Sequence, residues 1–386
     1  MSLARTTLVI EPIPDGHHFQ FVAAVVAVAA RSGPVVMLTS TGSTQHPAFS
    51  THLGDVVADG TLVVHEVLDA SVPPTADIAR VAGEWARTGT AEPVGTIVLM
   101  DADQALKRWW FLGPRHLRGR PRPRVIFMLT RYPTRLALTD LTSWRLRGPK
   151  ALLVLVARAT GTLHRAVGFA GRDDLSEGWL VKRARDPQFN TAHARDRARW
   201  RAELGLPPDR RLVGVFGLIS ARKNAPLILE AIRAAGLDAD LVLAGTLEDD
   251  VRAWVAGLGE ADRSRVIVRD AFLGNDELDH FVAAVDVVPL ALTNNGPSGI
   301  MGKAHVAGVP VVTTGSLVRA REVRASGAGL SCEFTAESIG EAMRQVLEGP
   351  FRMPTRDDAP VSPDEFASIL LGVDHHVRSD LKEPTS

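Results

Sequence analysis

The chain has 386 residues, 45% of them hydrophobic and 23% charged, which excludes a disordered chain and exceeds what one ordinary core organises, so two domains are expected. Its 44 basic and 44 acidic residues cancel, so no global charge argues for nucleic acid and partners must be sought locally. Cys332 is the single cysteine, which excludes an intrachain disulfide and makes a reducing cytoplasm the expected location.

The basic residues are nearly all arginine, as in a GC-rich genome; the lysines are Lys107, Lys150, Lys182, Lys223, Lys303 and Lys382. The most apolar N-terminal run, Phe21 to Ala30, is shorter than the roughly 20 residues that span a bilayer, and no basic leader precedes it. It reads as a buried helix.

Short β-branched runs alternate with longer Ala/Leu segments, the pattern of parallel α/β sheets. Strands are expected at Thr7 to Ile10, Val35 to Thr39, Leu62 to Val67, Thr96 to Met100, Val125 to Thr130 and Leu152 to Val156, with helices at 18–31 and 75–88. Residues 170–210 are charged and broken by Gly and Pro, with a polar helix from Ala192 to Leu204 stopped by Gly205-Leu206-Pro207-Pro208. A domain boundary near residue 190 follows.

The alternation then restarts. Strands are expected at Leu212 to Phe216, Leu241 to Ala244, Val266 to Val268, Asp286 to Leu290 and Val311 to Thr313. Helices fall at Pro226 to Ala235, Glu248 to Leu258, Asp276 to Ala284, Ile300 to Ala307 and 336–347. Ser362-Pro363-Asp364-Glu365 is a capping box that starts a last helix, to about Leu371. The domains are therefore 1–190, 191–350, and a C-terminal segment 351–386 whose helix is expected to return to the first domain.

Two small-residue loops stand between a strand and a helix. Gly217-Leu218-Ile219-Ser220-Ala221-Arg222-Lys223-Asn224 brings two cations to free backbone N–H groups, a combination suited to phosphate. Asn294-Asn295-Gly296-Pro297-Ser298-Gly299 precedes a helix that Ser298 can cap, with Gly299 open to close approach and Lys303 one turn on, expected to face away from the core. Both loops follow strand C-termini, where open α/β sheets bind ligands. In the first half, Pro14-Asp15-Gly16-His17-His18 occupies the same kind of position, and Asp101-Ala102-Asp103 follows a strand. Lys107, Arg108, Arg115, Arg118, Arg120, Arg122 and Arg124 surround Trp109, Trp110 and Phe111 with no acid among them, which suits a peripheral membrane contact through 107–124 or a solvated loop over packed tryptophans.

The order of several segments resembles the donor domain of family 4 glycosyltransferases. They are Phe216-Gly217, Ser220-Ala221-Arg222-Lys223-Asn224, Leu241-Val242-Leu243-Ala244-Gly245, Phe272-Leu273-Gly274, Glu277-Leu278, Ala284-Val285-Asp286-Val287-Val288-Pro289 and Ala307-Gly308-Val309-Pro310-Val311-Val312. Arg321-Glu322-Val323 and Gly327-Ala328-Gly329-Leu330 complete the series, which covers about residues 212–347. The resemblance implies the GT-B fold: two Rossmann-like α/β domains with parallel sheets facing a central cleft. It implies transfer of a sugar from a nucleotide-sugar co-substrate to a small-molecule, lipid or saccharide acceptor, with retention, no metal and no further cofactor.

On that basis Arg222, Lys223 and His17 are the expected catalytic residues. Gly16, Gly217, Ser220, Gly245, Phe272, Leu273, Asn295, Gly296, Pro297, Ser298, Gly299 and Lys303 are expected at the donor, and Asp15, His18 and Asp103 at the acceptor. Leu218 stands where the family usually has arginine, and Asn295 and Lys303 where it often has two glutamates. These departures leave two other readings of the same fold open: a protein that binds a nucleotide or partner without turnover, and a nucleotide-sugar epimerase.

Overall fold

The computed structural model describes residues 5–14, 16–117, 122–130, 132, 141–170, 177–294, 298–349, 351–353 and 362–373. They fall into two compact units. Unit 1 takes the described residues up to Ala170, then 177–186 and 362–373; unit 2 takes 187–353.

Unit 1 starts β1 (Thr6–Ile10), α1 (Gly16–Ala29), β2 (Val35–Ser40), α2 (Pro47–Ala58), β3 (Leu62–Leu68) and α3 (Thr75–Glu84). It continues β4 (Val94–Leu99), α4 (Leu106–His116), β5 (Arg124–Leu129), α5 (Leu141–Ala159), β6 (Arg165–Ala170) and β7 (Lys182–Arg185). All strands are parallel, in the order β3-β2-β1-β4-β5-β6-β7. The central strands read as unbroken apolar runs because helices cover both faces of a parallel sheet.

One expected strand is a helix. Residues 152–156 lie inside α5, where Val154 and Ala157 are buried while Leu152 and Leu155 are exposed. That three-residue spacing is helical; the continuous apolar run disguised it, since such runs do not reveal their period. The sixth and seventh strands are β6 and the short, charged β7 instead.

Unit 2 runs α6 (Arg197–Leu204), β8 (Arg211–Phe216), α7 (Ala225–Ala234), β9 (Ala239–Gly245), α8 (Asp249–Ala256), α9 (Glu260–Arg263) and β10 (Val266–Asp270). Then come α10 (Asn275–Ala284), β11 (Val288–Leu290), α11 (Gly299–Ala307), β12 (Val311–Thr313), α12 (Leu317–Ser326), β13 (Gly329–Ser331) and α13 (Ala336–Leu347). Two parallel ladders, β10-β9-β8 and β11-β12-β13, are joined by a bridge between Val213 and Val287. Gly214 N donates to Val287 O at 3.0 Å and Asp286 N to Leu212 O at 2.8 Å across the same seam. The sheet is therefore continuous in the order β10-β9-β8-β11-β12-β13.

The last helix, α14 (Pro363–Leu371), belongs to unit 1. Ser362 Oγ caps it by accepting from Glu365 N. Phe366 is buried and stacks on Phe169 with ring centroids 5.6 Å apart. Glu365 takes both oxygens to the Arg185 guanidinium, at 2.7 and 2.9 Å.

Each sheet begins in its middle, grows one way for three strands, then restarts on the other side of its first strand. The order reverses between β1 and β4 in unit 1 and between β8 and β11 in unit 2. Diverging loops leave a crevice at such a reversal, beyond the strand C-termini.

Candidate functional site

The crevice of unit 2 is built by the two loops singled out in the sequence. Gly217 leaves β8 with φ +81°, a conformation that needs no side chain. Its neighbour Gly245 ends β9 at φ +141°, and a Cβ there would lie 2.0 Å from Gly217 O. Gly245 is thus required by the close approach of two backbones, which brings the ends of β8 and β9 together.

Residues 221–223 make one 3-10 turn before α7. Asn224, which precedes α7, holds φ +49°, the one positive value outside glycine among the described residues. Asparagine tolerates this region because its short amide bonds locally. Here Nδ2 donates to Ala291 O at 2.7 Å, and Arg222 O accepts from Thr293 N at 3.3 Å. The first loop is therefore tied directly to the second.

Arg319, at the start of α12, locks the second loop from beneath. Its fully buried guanidinium donates to Leu292 O at 3.0 Å, Asn294 O at 2.9 Å, Thr314 O at 3.0 Å and Thr313 Oγ1 at 3.3 Å. Past the loop, Ser298 Oγ accepts from Met301 N at 3.4 Å and caps α11. A Cβ built on Gly299 meets nothing within 4 Å, so space is open at that helix N-terminus. A small hollow remains between the loops, lined by Phe216, Lys223, Leu290, Leu292, Ser298 and Ile300.

Three cations gather here. Arg222 is exposed, while Lys223 folds back so that Nζ donates to Phe216 O. Burial, and next the charge of Arg222, push the Lys223 ammonium down to about 7. Burial and Arg222 likewise push Arg319 down to about 10. In both cases the neighbouring charge has the same sign. An anion between the loops would relieve this repulsion, and the backbone N–H groups at the start of α11 favour the same charge.

The other expected donor residues are distributed unevenly. Ser220 is half-buried next to the 3-10 turn. Phe272 is exposed, whereas the Leu273 side chain joins the core. Asn295, Gly296 and Pro297 lie outside the described residues. Lys303 departs from its expected orientation. It is buried, and Nζ donates to Asp279 Oδ1 on α10 and to Phe189 O at 2.7 Å. Asp279 Oδ2 also accepts from Thr191 N at 2.9 Å. A buried ammonium requires a partner, and α10 supplies one that the linear pattern did not reveal. Desolvation raises the Asp279 carboxyl, against the lowering pull of Lys303.

In unit 1, Gly16 is the first residue of α1; Asp15 and the His17 side chain lie outside the described residues. His18 Nδ1 sits 2.8 Å from Oε2 of Glu11, which is completely buried and whose Oε1 accepts from Ile13 N at 2.8 Å. Glu11 was missed, although a carboxylate directly after the run Thr7-Leu8-Val9-Ile10 was a signal for it. Asp103 Oδ1 accepts from Lys150 Nζ at 2.5 Å, and the Thr130 hydroxyl lies 3.2 Å from Asp101 Oδ1 and 3.1 Å from Asp103 Oδ2.

No protein-family model matches the chain. Over 186 residues, 46% of this chain and 46% of the relative, it is 28% identical to a 2-deoxystreptamine glucosyltransferase of Streptomyces kanamyceticus, so the match spans about half of that protein. Sucrose-phosphate synthase from Thermosynechococcus elongatus superposes with a TM-score of 0.60 at 15% identity, over 96% of this chain and 94% of that one. Anabaena HepE in complex with UDP-glucose superposes with a TM-score of 0.60 at 14% identity, over 95% of this chain and 92% of that one. The chain has the GT-B fold. Its two Rossmann-like units and the resemblance to family 4 glycosyltransferases agree with one another.

Two predictions follow for this GT-B chain. As pH rises from 7 toward 10.5 free Lys223 loses its proton in the folded protein, where an ordinary lysine keeps it, and a bound anion must restore that proton. Affinity for inorganic pyrophosphate, measured by titration calorimetry, should fall as pH rises above 7, approaching tenfold per unit. Lys223→Met should flatten that slope. Separately, Lys303→Met leaves Asp279 buried without its cation and should cost about 3–5 kcal/mol in urea unfolding, with Lys303→Met/Asp279→Leu recovering at least half.

Proposed function

We propose that the chain is a glycosyltransferase that moves a hexose from a nucleotide sugar to an acceptor hydroxyl. The observation that carries this reading is the like-charged cluster of exposed Arg222, half-buried Lys223 and buried Arg319 at the switch point of unit 2. A sugar diphosphate places two negative phosphates beside Arg222 and Lys223, whose charges oppose each other. The glucosyltransferase relative and the UDP-glucose held by HepE make UDP-glucose the first donor to test.

Transfer breaks the bond from the anomeric carbon to the diphosphate oxygen and forms one to the acceptor oxygen. The electron pair of the broken bond goes to the diphosphate, and the acceptor proton leaves with it. Negative charge therefore grows on the diphosphate as the sugar becomes oxocarbenium-like. Lys223, reprotonated when the donor binds, stabilises that growth together with Arg222 and the N–H groups after Ser298. The family 4 resemblance implies retention at the anomeric carbon and no metal. Arg319 never needs to touch the donor; it holds the 292–294 loop in place. At the carboxyl edge of unit 1, His18 and Asp103 are the groups we assign to the acceptor, each steadied by a charged partner, Glu11 or Lys150.

The test is release of nucleotide from a panel of nucleotide sugars, with and without 2-deoxystreptamine as a probe acceptor. Release should require acceptor, and Lys223→Ala should lower turnover by about 100-fold or more with its melting temperature preserved. Near-normal turnover in that variant, or sugar conversion without acceptor, overturns the reading.

A further inference from the structure

A second group of cations stands at the opposite edge of unit 1, where its parallel strands begin. Arg124 opens β5 and Arg165 opens β6, with Arg122 and His164 just before them. Arg158 lies in the last turn of α5. Backbone carbonyls, not carboxylates, hold these side chains. Arg165 Nη2 donates to Ile369 O at 2.7 Å, Arg124 Nη2 to Leu371 O at 3.4 Å, and Arg122 Nη1 to Thr160 O at 3.5 Å. Ile369 and Leu371 lie in the last turn of α14 and Thr160 directly follows α5, so the negative ends of two helices lie beside the guanidiniums.

Like charges stand together here, with Glu177 acting on Arg165 in the opposite sense. The Arg158 Nε is buried without a hydrogen-bond partner. His164 Nδ1 accepts from Val125 N at 3.1 Å, so in the neutral ring the proton sits on Nε2. Partial burial, then Arg124 and Arg122, hold that imidazole below the ordinary histidine range. Burial, then Arg124 and Arg158, hold Arg165 below the usual guanidinium value, with Glu177 pulling the other way.

Apolar side chains stand exposed beside these charges. Trp179 is 86% exposed in the turn before β7, whose Lys182 pairs with Val167, two residues after Arg165. Leu155 lies one turn before Arg158 on α5, and Leu152 one turn before that; both are exposed. A dissolved anion has no use for an exposed indole and two leucines. An anionic bilayer does, because its headgroups attract arginines while its interface accepts aromatic and aliphatic side chains.

We infer that this edge of unit 1 docks on an anionic phospholipid surface, with Arg122, Arg124, Arg158 and Arg165 against the headgroups and Trp179 and Leu155 in the interface. Among the described residues no helix is long and apolar enough to cross a membrane. Docking at this edge also relocates the membrane contact expected over 107–124. Within that stretch Trp109 is fully buried, donating Nε1 to Thr162 O, and the Arg115 guanidinium lies over the Phe111 ring. Among the described residues of that stretch, Arg122 and Arg124 join the cationic edge.

The test is co-sedimentation of the full chain with phosphatidylcholine vesicles, alone or carrying about one-third phosphatidylglycerol. Binding should require the anionic lipid, weaken with salt, and be accompanied by a blue shift in tryptophan emission. Arg122→Glu/Arg124→Glu should weaken it by on the order of 20-fold, at roughly five-fold per basic side chain. Trp179→Ser, at a side chain outside the core, should weaken it several-fold and abolish the shift. Turnover on a soluble acceptor should be unchanged in both. Equal binding to neutral vesicles, no binding to either, or binding that survives both variants overturns the inference. Capture by soluble polyphosphate without capture by vesicles overturns it in favour of a dissolved polyanion.

Discussion

The repulsion among Arg222, Lys223 and Arg319 is the interaction on which the second unit is organised. A folded chain does not gather three cations at a partly desolvated spot without cost, and the Lys223 ammonium pays it by titrating near 7. Everything around the cluster holds it there. Gly217 and Gly245 let two strands end within backbone contact, Asn224 takes a left-handed conformation to bind the second loop, and Arg319 ties the carbonyls of Leu292 and Asn294 in that loop to Thr313 and Thr314 at the end of β12. On the reading proposed here the arrangement is preorganised for an anion, which is the condition under which electrostatics contributes most to catalysis.

The same physics appears in a different form at Lys303. There the cation has its counter-charge in Asp279, and the pair joins α10, α11 and the segment around Phe189 and Thr191. Lys223 has Arg222 as its charged neighbour, and we assign it to the ligand; Lys303 is paired with Asp279 inside the fold. Both belong to a chain with few lysines, so rarity alone did not separate their roles. Burial with an opposite charge, against burial with a like charge, does.

Much of this was legible in the sequence. The alternating pattern in 212–347 placed five of the six strands of unit 2 within a few residues, leaving out α12 and the three-residue β13, and the two glycine-containing loops fell at the switch point because the chain order dictates it. The capping box at Ser362 located α14. What escaped was set by tertiary partners. Val154 and Ala157 face the core with helical spacing inside a run that reads as a strand, and β7 is a short basic strand with no apolar signature. Arg319 looked like one more arginine of a biased composition, and Glu11 and Asp279 acquire meaning only beside His18 and Lys303. Long-range pairing of this kind leaves no local period to read.

The central claim is that Lys223 is held deprotonation-prone by burial and Arg222 until a diphosphate arrives. The direct measurement is the pKa of the Lys223 side chain, followed by heteronuclear NMR of its Nζ as pH is varied, in free protein and with saturating pyrophosphate. The account predicts a value of about 7 in the free protein and a rise by about two units or more when the anion binds. A free value near that of an ordinary lysine, or one that pyrophosphate leaves unmoved, would contradict it.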